Sequence, residues 1–182
     1  MEETININRR LIENCLEGDI KAQFQLYKQY SKAMYNIAVR FLNNKMDAED
    51  VLQESFVTAF NRLGELQNRD AFGSWLKRIV INRCISLQRK NKILFEEIDE
   101  YRHGEEDAPD EELPQVDPAH VHQAIKELPP KGRTVLVLRA MEGYSHKEIS
   151  ETLDISVSTS KTQYSRALAL LNGKLKGKRH VD

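Results

Sequence analysis

Residues 144–171 carry the feature that most restricts the fold, a signal for two helices joined by a tight turn. Ser145 followed three residues later by Glu148 forms a capping box, which marks the start of the first helix. Asp154 tolerates the left-handed backbone conformation that a sharp turn requires, and Ser156 is suited to cap the second helix. The pattern predicts a helix-turn-helix whose second helix enters a DNA groove.

The second helix of this motif has an apolar and a polar side. The residues predicted to be buried are Tyr164, Ala167, Leu168 and Leu171. The residues predicted to face outward are Ser158, Thr159, Lys161, Thr162, Ser165 and Arg166. An ordinary helical hairpin with a solvated polar face is the alternative, because short helix-turn-helix patterns also arise by chance.

The rest of the chain also has helical periodicity, and the fold class predicted is all-α. Only eight Gly and five Pro occur in 182 residues, and they cluster between periodic segments. Asp19 and Asp47 are predicted N-caps, and the apolar face after Asp19, which includes Phe24, is predicted core. The predicted helices are 6–17, 19–43, 47–63, 71–92, 118–128 and 133–142. The basic tail 173–182 is expected to be frayed.

The charge distribution predicts two domains. Residues 1–95 have 15 Lys+Arg and 11 Asp+Glu, a net +4, whereas residues 96–118 have one basic and 11 acidic residues, a net −10. Residues 119–182 have a net +5. Two basic blocks joined by an acidic one indicate two modules that face polyanions. The predicted division is a domain at 1–95, an acidic flexible linker at 96–117 and a helix-turn-helix domain at 118–182.

Two helices of the first domain carry opposite charge. Residues 77–92 contain six Lys+Arg and no Asp or Glu, and Arg78, Asn82, Ser86 and Arg89 recur at helical spacing as one polar stripe. A helix that carries basic residues and no acidic ones indicates contact with phosphates rather than a solvated basic face. The helix predicted at 47–63 instead exposes an acidic face beside one apolar residue. This face consists of Glu49, Asp50, Gln53, Glu54 and Val57. The alternative explanation for this face is that carboxylates are common near the N-terminus of a helix, where the helix dipole stabilises them.

Several function classes are disfavoured by what the sequence lacks. Cys15 and Cys84 are lone cysteines without metal-ligand spacing, and His120 and His122 point away from each other on a helix. There is no phosphate loop, nucleophile–base pairing or metal-spaced cluster, so we expect no enzyme, metal or cofactor. The N-terminus has no signal-peptide core, and no apolar run is long enough for a membrane span. The expected location is the cytoplasm, without membrane insertion.

Three stretches in order resemble the extracytoplasmic-function (ECF) sigma factors of bacterial RNA polymerase. They are DAEDVLQESF (47–56), FGSWLKRIVINRCISLQRK (72–90) and LPPKGRTVLVLRAMEGYSHKEISETLDISVSTSKTQYSRAL (128–168), with the acidic linker before the third. The resemblance covers nearly the whole chain. It implies a non-enzymatic initiation factor that directs core polymerase to promoters. A helix-turn-helix regulator that does not act as a polymerase subunit is the alternative.

The resemblance also implies a role for each surface. The residues that match the docking surface for the polymerase clamp coiled coil are Glu49, Asp50, Gln53 and Glu54. Those that match the minus-ten contacts, including a loop that captures an unstacked base, are Gln67, Asn68, Arg69, Arg78, Asn82, Arg83 and Arg89. Lys161, Thr162, Ser165 and Arg166 match readers of the minus-thirty-five element in duplex DNA, with Ser158 and Thr159 beside them.

Departures from the family pattern concern promoter choice and packing. Ser160 stands where Val is usual on the inner face of the reading helix, which puts the packing there in question. Gln163 replaces a frequent Arg, Asp154 replaces a common Gly, and Ser86 replaces a frequent Asp. The family also implies an anti-sigma partner, often membrane-anchored.

Overall fold

The computed structural model describes residues 2–91 and 118–177, and every regular element in those ranges is helical. The α-helices are α1 (Glu2–Leu16), α2 (Ile20–Leu42), α3 (Lys45–Asn61), α4 (Phe72–Lys90), α5 (Pro118–Lys126), α6 (Pro130–Leu136), α7 (His146–Leu153) and α8 (Val157–Gly177). Two 3-10 turns, Leu63–Glu65 and Arg69–Ala71, lie between α3 and α4, and a π-helical turn, Val137–Met141, follows α6. The all-α prediction is confirmed.

The chain divides into two compact units, Met1–Leu87 and Gln88–Asp182. The acidic linker predicted at 96–117 lies outside the described residues. The predicted domain boundaries therefore remain predictions.

The first unit has a core of large side chains from α2, α3 and α4. Leu26, Phe41 and Leu76 are completely buried, and each contributes on the order of 1.5–3 kcal/mol when it leaves water. The ring of Tyr27 on α2 lies 4.7 Å from that of Phe56 on α3, centroid to centroid. These contacts fix α3 on α2, so that the opposite side of α3 faces solvent.

Phe24 is an error in the predicted core, because its side chain is 65% exposed. Ala22 and Leu26, two residues away on either side, are buried. At about 100° per residue, Phe24 lies some 200° around α2 from each of them. The apolar face of α2 is therefore narrower than its composition suggested.

The predicted cap of α3 was also wrong. Asn44, not Asp47, is the N-cap, since its Oδ1 accepts from the backbone N–H of Met46 at 3.0 Å and of Asp47 at 3.4 Å. Asn43 before it has a φ of 52°, the left-handed conformation that ends α2. The predicted break at these two asparagines is correct, but the next helix starts two residues earlier than expected. Asp19 caps α2 as predicted, by accepting from the N–H of Lys21.

In the second unit, α6 begins at Pro130 and not at Arg133, because Pro suits the first position of a helix. Arg133 is instead buried, and its Nη1 donates to the carbonyls of Lys126 and Leu128 at 3.0 and 3.3 Å. Burial lowers the pKa of this guanidinium. These bonds satisfy carbonyl groups at the C-terminal end of α5. The positive charge of Arg133 also stabilises this end of the helix, because it interacts favourably with the helix dipole.

The last helix extends further than predicted. Residues 173–177, expected to be frayed, continue α8, because Leu175 is buried and Lys174 Nζ lies 3.1 Å from Glu127 Oε2. Residues 178–182 of the predicted tail lie outside the described part of the chain.

The capping box of α7 is confirmed. Ser145 Oγ accepts from the N–H of Glu148 at 3.2 Å, and Glu148 Oε2 accepts from the N–H of Ser145 at 2.8 Å. Asp154 has the left-handed conformation predicted for the turn, with a φ of 56°. Its N–H donates to the Ser150 carbonyl, which closes α7.

We expect Ser145→Ala to destabilise α7 by about 1 kcal/mol, because it removes the side-chain acceptor at the N-cap. Native-state hydrogen exchange is the measurement. Protection of the α7 amides should fall about fivefold, while α2 amides in the other unit keep theirs. Unchanged protection in α7 would show that the box contributes nothing.

Candidate nucleic-acid interface

Most of the polar side of α8 faces solvent, as predicted. Ser156 Oγ accepts from the N–H of Thr159 at 2.9 Å, so the predicted cap of this helix is present. Of the predicted readers, Ser158, Thr159, Lys161 and Arg166 are exposed, whereas Thr162 and Ser165 are half-buried. Of the residues predicted to be buried, Ala167, Leu168 and Leu171 are buried and Tyr164 is half-buried.

Ser160, where the packing was in question, is completely buried and hydrogen-bonded. Its Oγ lies 2.9 Å from His146 Nδ1. The His146 ring also packs edge-on against Tyr164, with the centroids 5.7 Å apart. A polar pair therefore joins α7 to the inner face of α8. The sequence placed Ser160 on that face, but it contained no signal for its partner on α7.

His146 is the histidine of the second unit from which we expect a pH dependence of stability. Its pKa is lowered from the usual 6.5, first by burial and then by the nearby charges of Arg139 and Lys161. A histidine with a lowered folded-state pKa binds fewer protons than in the unfolded chain. Its contribution to stability is complete above about pH 6.5 and is lost as the pH falls below that value.

We therefore expect the urea concentration at the midpoint of unfolding, measured from the amide signals of α8, to be lower at pH 5.5 than at pH 7.5. His146→Gln should flatten this pH dependence because glutamine does not titrate. The exposed His122 provides the control, and His122→Gln should leave the dependence as in the wild type. An unchanged slope in His146→Gln would rule out His146 as the source.

The polar stripe of α4 is on the surface. Arg78, Asn82 and Ser86 are exposed, and Arg89 is half-buried in the last turn. The opposite side is anchored by Phe72, Leu76, Val80, Ile81, Cys84 and Ile85, all buried. Trp75, Ile79 and Leu87 on the same helix are half-buried. The polar stripe therefore lies on the solvent-facing side of α4.

The loop before α4 is braced by contacts within it and from α1. Gln67 and Asn68 are exposed, and Asn68 Oδ1 accepts from the N–H of Asp70 at 3.0 Å. Arg69 donates from Nη1 to the Leu66 carbonyl. Arg9 Nη2 donates to Asp70 Oδ2 at 2.8 Å. The brace from Arg9 was missed, because nothing in the spacing connects residues 61 positions apart.

The acidic face of α3 is exposed as predicted. It consists of Glu49, Asp50, Gln53 and Glu54, beside Val57, whose side chain is 60% exposed. Val51, Leu52, Phe56 and Ala59 on the other side are buried. The periodicity therefore predicted the exposed side of this helix correctly.

Arg83 lies apart from the other predicted minus-ten residues. Its Nη1 is 2.5 Å from Glu54 Oε2, and its Nη2 donates to Thr58 Oγ1 at 2.8 Å. One residue predicted to contact DNA is thus bonded to one predicted to dock on the polymerase.

The cysteines of the described chain are buried thiols. Burial raises the pKa of Cys15 to about 11, with a smaller effect from Asp19, and that of Cys84 to about 12. Both are protonated at neutral pH, and thiols in this state are poor nucleophiles. Residues 2–91 and 118–177 include no group of three or more His, Cys, Asp or Glu that could hold a metal ion. No helix in these ranges is long and apolar enough to cross a membrane.

Two sequence families match the chain in the order of its two units. Sigma-70 region 2 matches residues 26–93, and Sigma-70, region 4 matches residues 120–171. The first match contains the acidic face of α3 and the stripe of α4. The second contains α7 and most of α8.

Individual proteins are similar over nearly the whole chain. The RNA polymerase sigma-H factor of Pseudomonas aeruginosa is 31% identical over 172 residues, which cover 88% of this chain and 89% of that protein. The ECF RNA polymerase sigma-E factor of Haemophilus influenzae is 28% identical over 180 residues, which cover 92% and 95%.

Two solved structures are similar to this chain. CnrH, solved in complex with the cytosolic domain of CnrY, has a TM-score of 0.53 at 26% identity and covers 93% of this chain and 97% of its own. The sigma factor RpoE of Bartonella quintana, solved with the anti-sigma factor NepR, shares the fold. Its TM-score is 0.55 at 21% identity, over 86% of this chain and 98% of its own.

Proposed function

The chain belongs to the ECF class of sigma factors. We propose that α3 binds the polymerase, that α4 binds the minus-ten strand, and that α8 reads the minus-thirty-five element. It is a transcription initiation factor that binds core RNA polymerase and directs it to specific promoters. The assignment of each step to a surface is the proposal.

The acidic face of α3 docks on the clamp coiled coil of the polymerase. Support comes from its composition and exposure, since Glu49, Asp50, Gln53 and Glu54 are all in solvent beside the exposed Val57. Carboxylates around an exposed apolar side chain suit a basic partner surface, because complementary charge speeds encounter and fixes register. The helix dipole alone explains an acid in the first turn, which here is Asp47, but Glu49, Asp50 and Glu54 lie beyond that turn.

The stripe of α4 and the loop at 67–70 hold the minus-ten strand after it is opened. Asn82 lies between Arg78 and Ser86 on the exposed side of α4, so an amide able to read a base edge is placed beside a cation able to bind a phosphate. The loop exposes Gln67 and Asn68, while its backbone is braced through Asp70. A fixed loop captures an unstacked base at a lower entropic cost than a mobile one.

The exposed side of α8 reads the minus-thirty-five element in the major groove. Lys161, Thr162, Ser165 and Arg166 supply base and phosphate contacts, and Ser158 and Thr159 lie where amides at a helix N-terminus favour a phosphate. The hydrogen bond between the buried Ser160 and the half-buried His146 supports this role, because it holds the reading helix against α7.

We infer the partners and the location from the class. Sigma factors are in general non-enzymatic, and we infer no catalytic activity or cofactor for this chain. We place it in the cytoplasm, where its polymerase is, and infer an anti-sigma factor as its regulator. The acidic segment 96–117 would lie in the positively charged RNA path of the polymerase.

Asn82→Ala tests the assignment of α4. The affinity of the holoenzyme for a single-stranded minus-ten oligonucleotide should fall by about 1–3 kcal/mol, or roughly 5- to 150-fold. Gln25→Ala, which removes an exposed amide on α2, is the control and should bind as the wild type does. Equal affinity of the two variants would place the minus-ten contact elsewhere.

A further inference from the structure

Arg83 reaches from α4 to α3 and binds two successive turns of that helix. Its Nη1 lies 2.5 Å from Glu54 Oε2, and its Nη2 donates to Thr58 Oγ1 at 2.8 Å. Thr58 Oγ1 in turn donates to the Glu54 carbonyl at 2.9 Å. Glu54 and Thr58 are four residues apart, which puts them side by side on α3. The fork of the guanidinium therefore fits a pair of acceptors that the helix presents together.

This geometry separates Arg83 from the DNA-facing stripe. Arg83 follows Asn82 directly, so the two side chains leave α4 about 100° apart. Arg78, Asn82 and Ser86 point to solvent, whereas both terminal nitrogens of Arg83 bond to α3. A phosphate contact would have to use the remaining N–H groups of a guanidinium that these two bonds already hold on α3.

We propose that Arg83 is a positioning residue of the polymerase-docking face, acting through Glu54, and not a contact to promoter DNA. This inference rests on the proposed docking role of α3. It changes the role of a residue that resemblance alone grouped with the minus-ten contacts.

The physical effect is preorganisation. Glu54 is 61% exposed, and a free glutamate side chain on a surface samples many rotamers that must be lost when a partner binds. Arg83 fixes one of them from a neighbouring helix. The carboxylate keeps acceptor capacity for a partner, because each of its two oxygens has two lone pairs. Lysine would not replace this fork, since it carries one point charge and no planar pair of donors.

The first test is the affinity of the purified full chain for core polymerase. Arg83→Gln should bind about 2- to 5-fold more weakly, the range expected when an exposed ion pair is lost, and Arg83→Lys should fall between it and the wild type. Arg62→Gln is the matched control, because it breaks another exposed Arg–Glu pair, with Glu65, away from the docking face. It should bind as the wild type does. If Arg83→Gln binds core polymerase as tightly as the wild type, the inference is overturned.

The second test separates Arg83 from a phosphate contact. The slope of log affinity against log salt, measured with holoenzyme and the single-stranded minus-ten oligonucleotide, should be the same for Arg83→Gln and the wild type. A phosphate contact would instead reduce the slope by about 0.7. That result would show that Arg83 contacts the minus-ten DNA.

A double-mutant cycle tests the route through Glu54. The double variant Glu54→Gln/Arg83→Gln should bind core polymerase no more weakly than Glu54→Gln alone. If the losses of the two single variants add in the double variant, Arg83 does not act through Glu54. Asp50→Arg, measured in parallel, distinguishes an error in the role of Arg83 from an error in the assignment of the docking face. If Asp50→Arg weakens core binding and Arg83→Gln does not, only the role of Arg83 fails. If Asp50→Arg has no effect either, the docking face itself is misassigned.

Discussion

Asp50→Arg is expected to reduce the affinity of the chain for core RNA polymerase by at least about 100-fold and to abolish promoter-directed transcription. Asp50 is exposed at the centre of the acidic face of α3. Placing a cation there opposes a basic partner surface, and like charges forced together across an interface cost several kcal/mol. The helix should still fold, because the side chain is in solvent and the buried side of α3 is unchanged. Affinity is measured by titrating core polymerase with labelled chain.

The control is Glu13→Arg, which reverses an exposed acid on α1 by the same two charges and should bind core polymerase normally. Binding of Asp50→Arg to duplex minus-thirty-five DNA should also be retained. This combination distinguishes the sigma factor from a helix-turn-helix regulator that works alone. Normal transcription with Asp50→Arg would contradict the docking assignment.

Lys161→Ala and Arg166→Ala are expected to weaken binding of the holoenzyme to minus-thirty-five duplexes by about 1–3 kcal/mol each, or roughly 5- to 150-fold. Both side chains are exposed on α8. Loss of a base contact should relax the preference at one position, whereas loss of a phosphate contact should weaken all sequences alike and lower the salt slope by about 0.9. Affinities for a set of duplexes with single-base changes distinguish the two.

Lys176→Ala provides the matched control. Lys176 is exposed on the same helix, ten residues beyond Arg166 and away from the turn that begins α8, and its removal should change neither affinity nor preference. If Lys161→Ala and Arg166→Ala behave like this control, the outward side of α8 is not the reader.

The sequence predicted features whose causes lie within a few residues. The capping box of Ser145 and Glu148 requires only a spacing of three, and the left-handed turn at Asp154 depends on that residue alone. The exposed side of α3 followed from helical periodicity, so Asp50 was correctly predicted to be in solvent. The assignment of Phe24 failed because a broad apolar face does not show which residues point to the core.

Contacts between distant residues were beyond sequence reasoning. Arg9 with Asp70 and Arg83 with Glu54 each join elements that come together only when the helices pack. Neither spacing nor composition indicates such a pair, and resemblance assigned Arg83 by its neighbourhood in the sequence. The bond between Ser160 and His146 is similar: the inner position of Ser160 was clear, but its partner depends on how α7 crosses α8.

The most direct test of this chain as a sigma factor is transcription reconstituted from purified core polymerase and the chain, on genomic fragments, with the transcript starts mapped. With the chain present, core polymerase should begin transcripts at specific starts, each preceded by a common minus-ten and a common minus-thirty-five sequence at fixed spacing. Alanine substitutions of the exposed residues of α8 should change only the dependence of transcription on the minus-thirty-five sequence. The sigma-factor function would be contradicted if the chain binds duplex DNA but the starts made by core polymerase are the same with and without it.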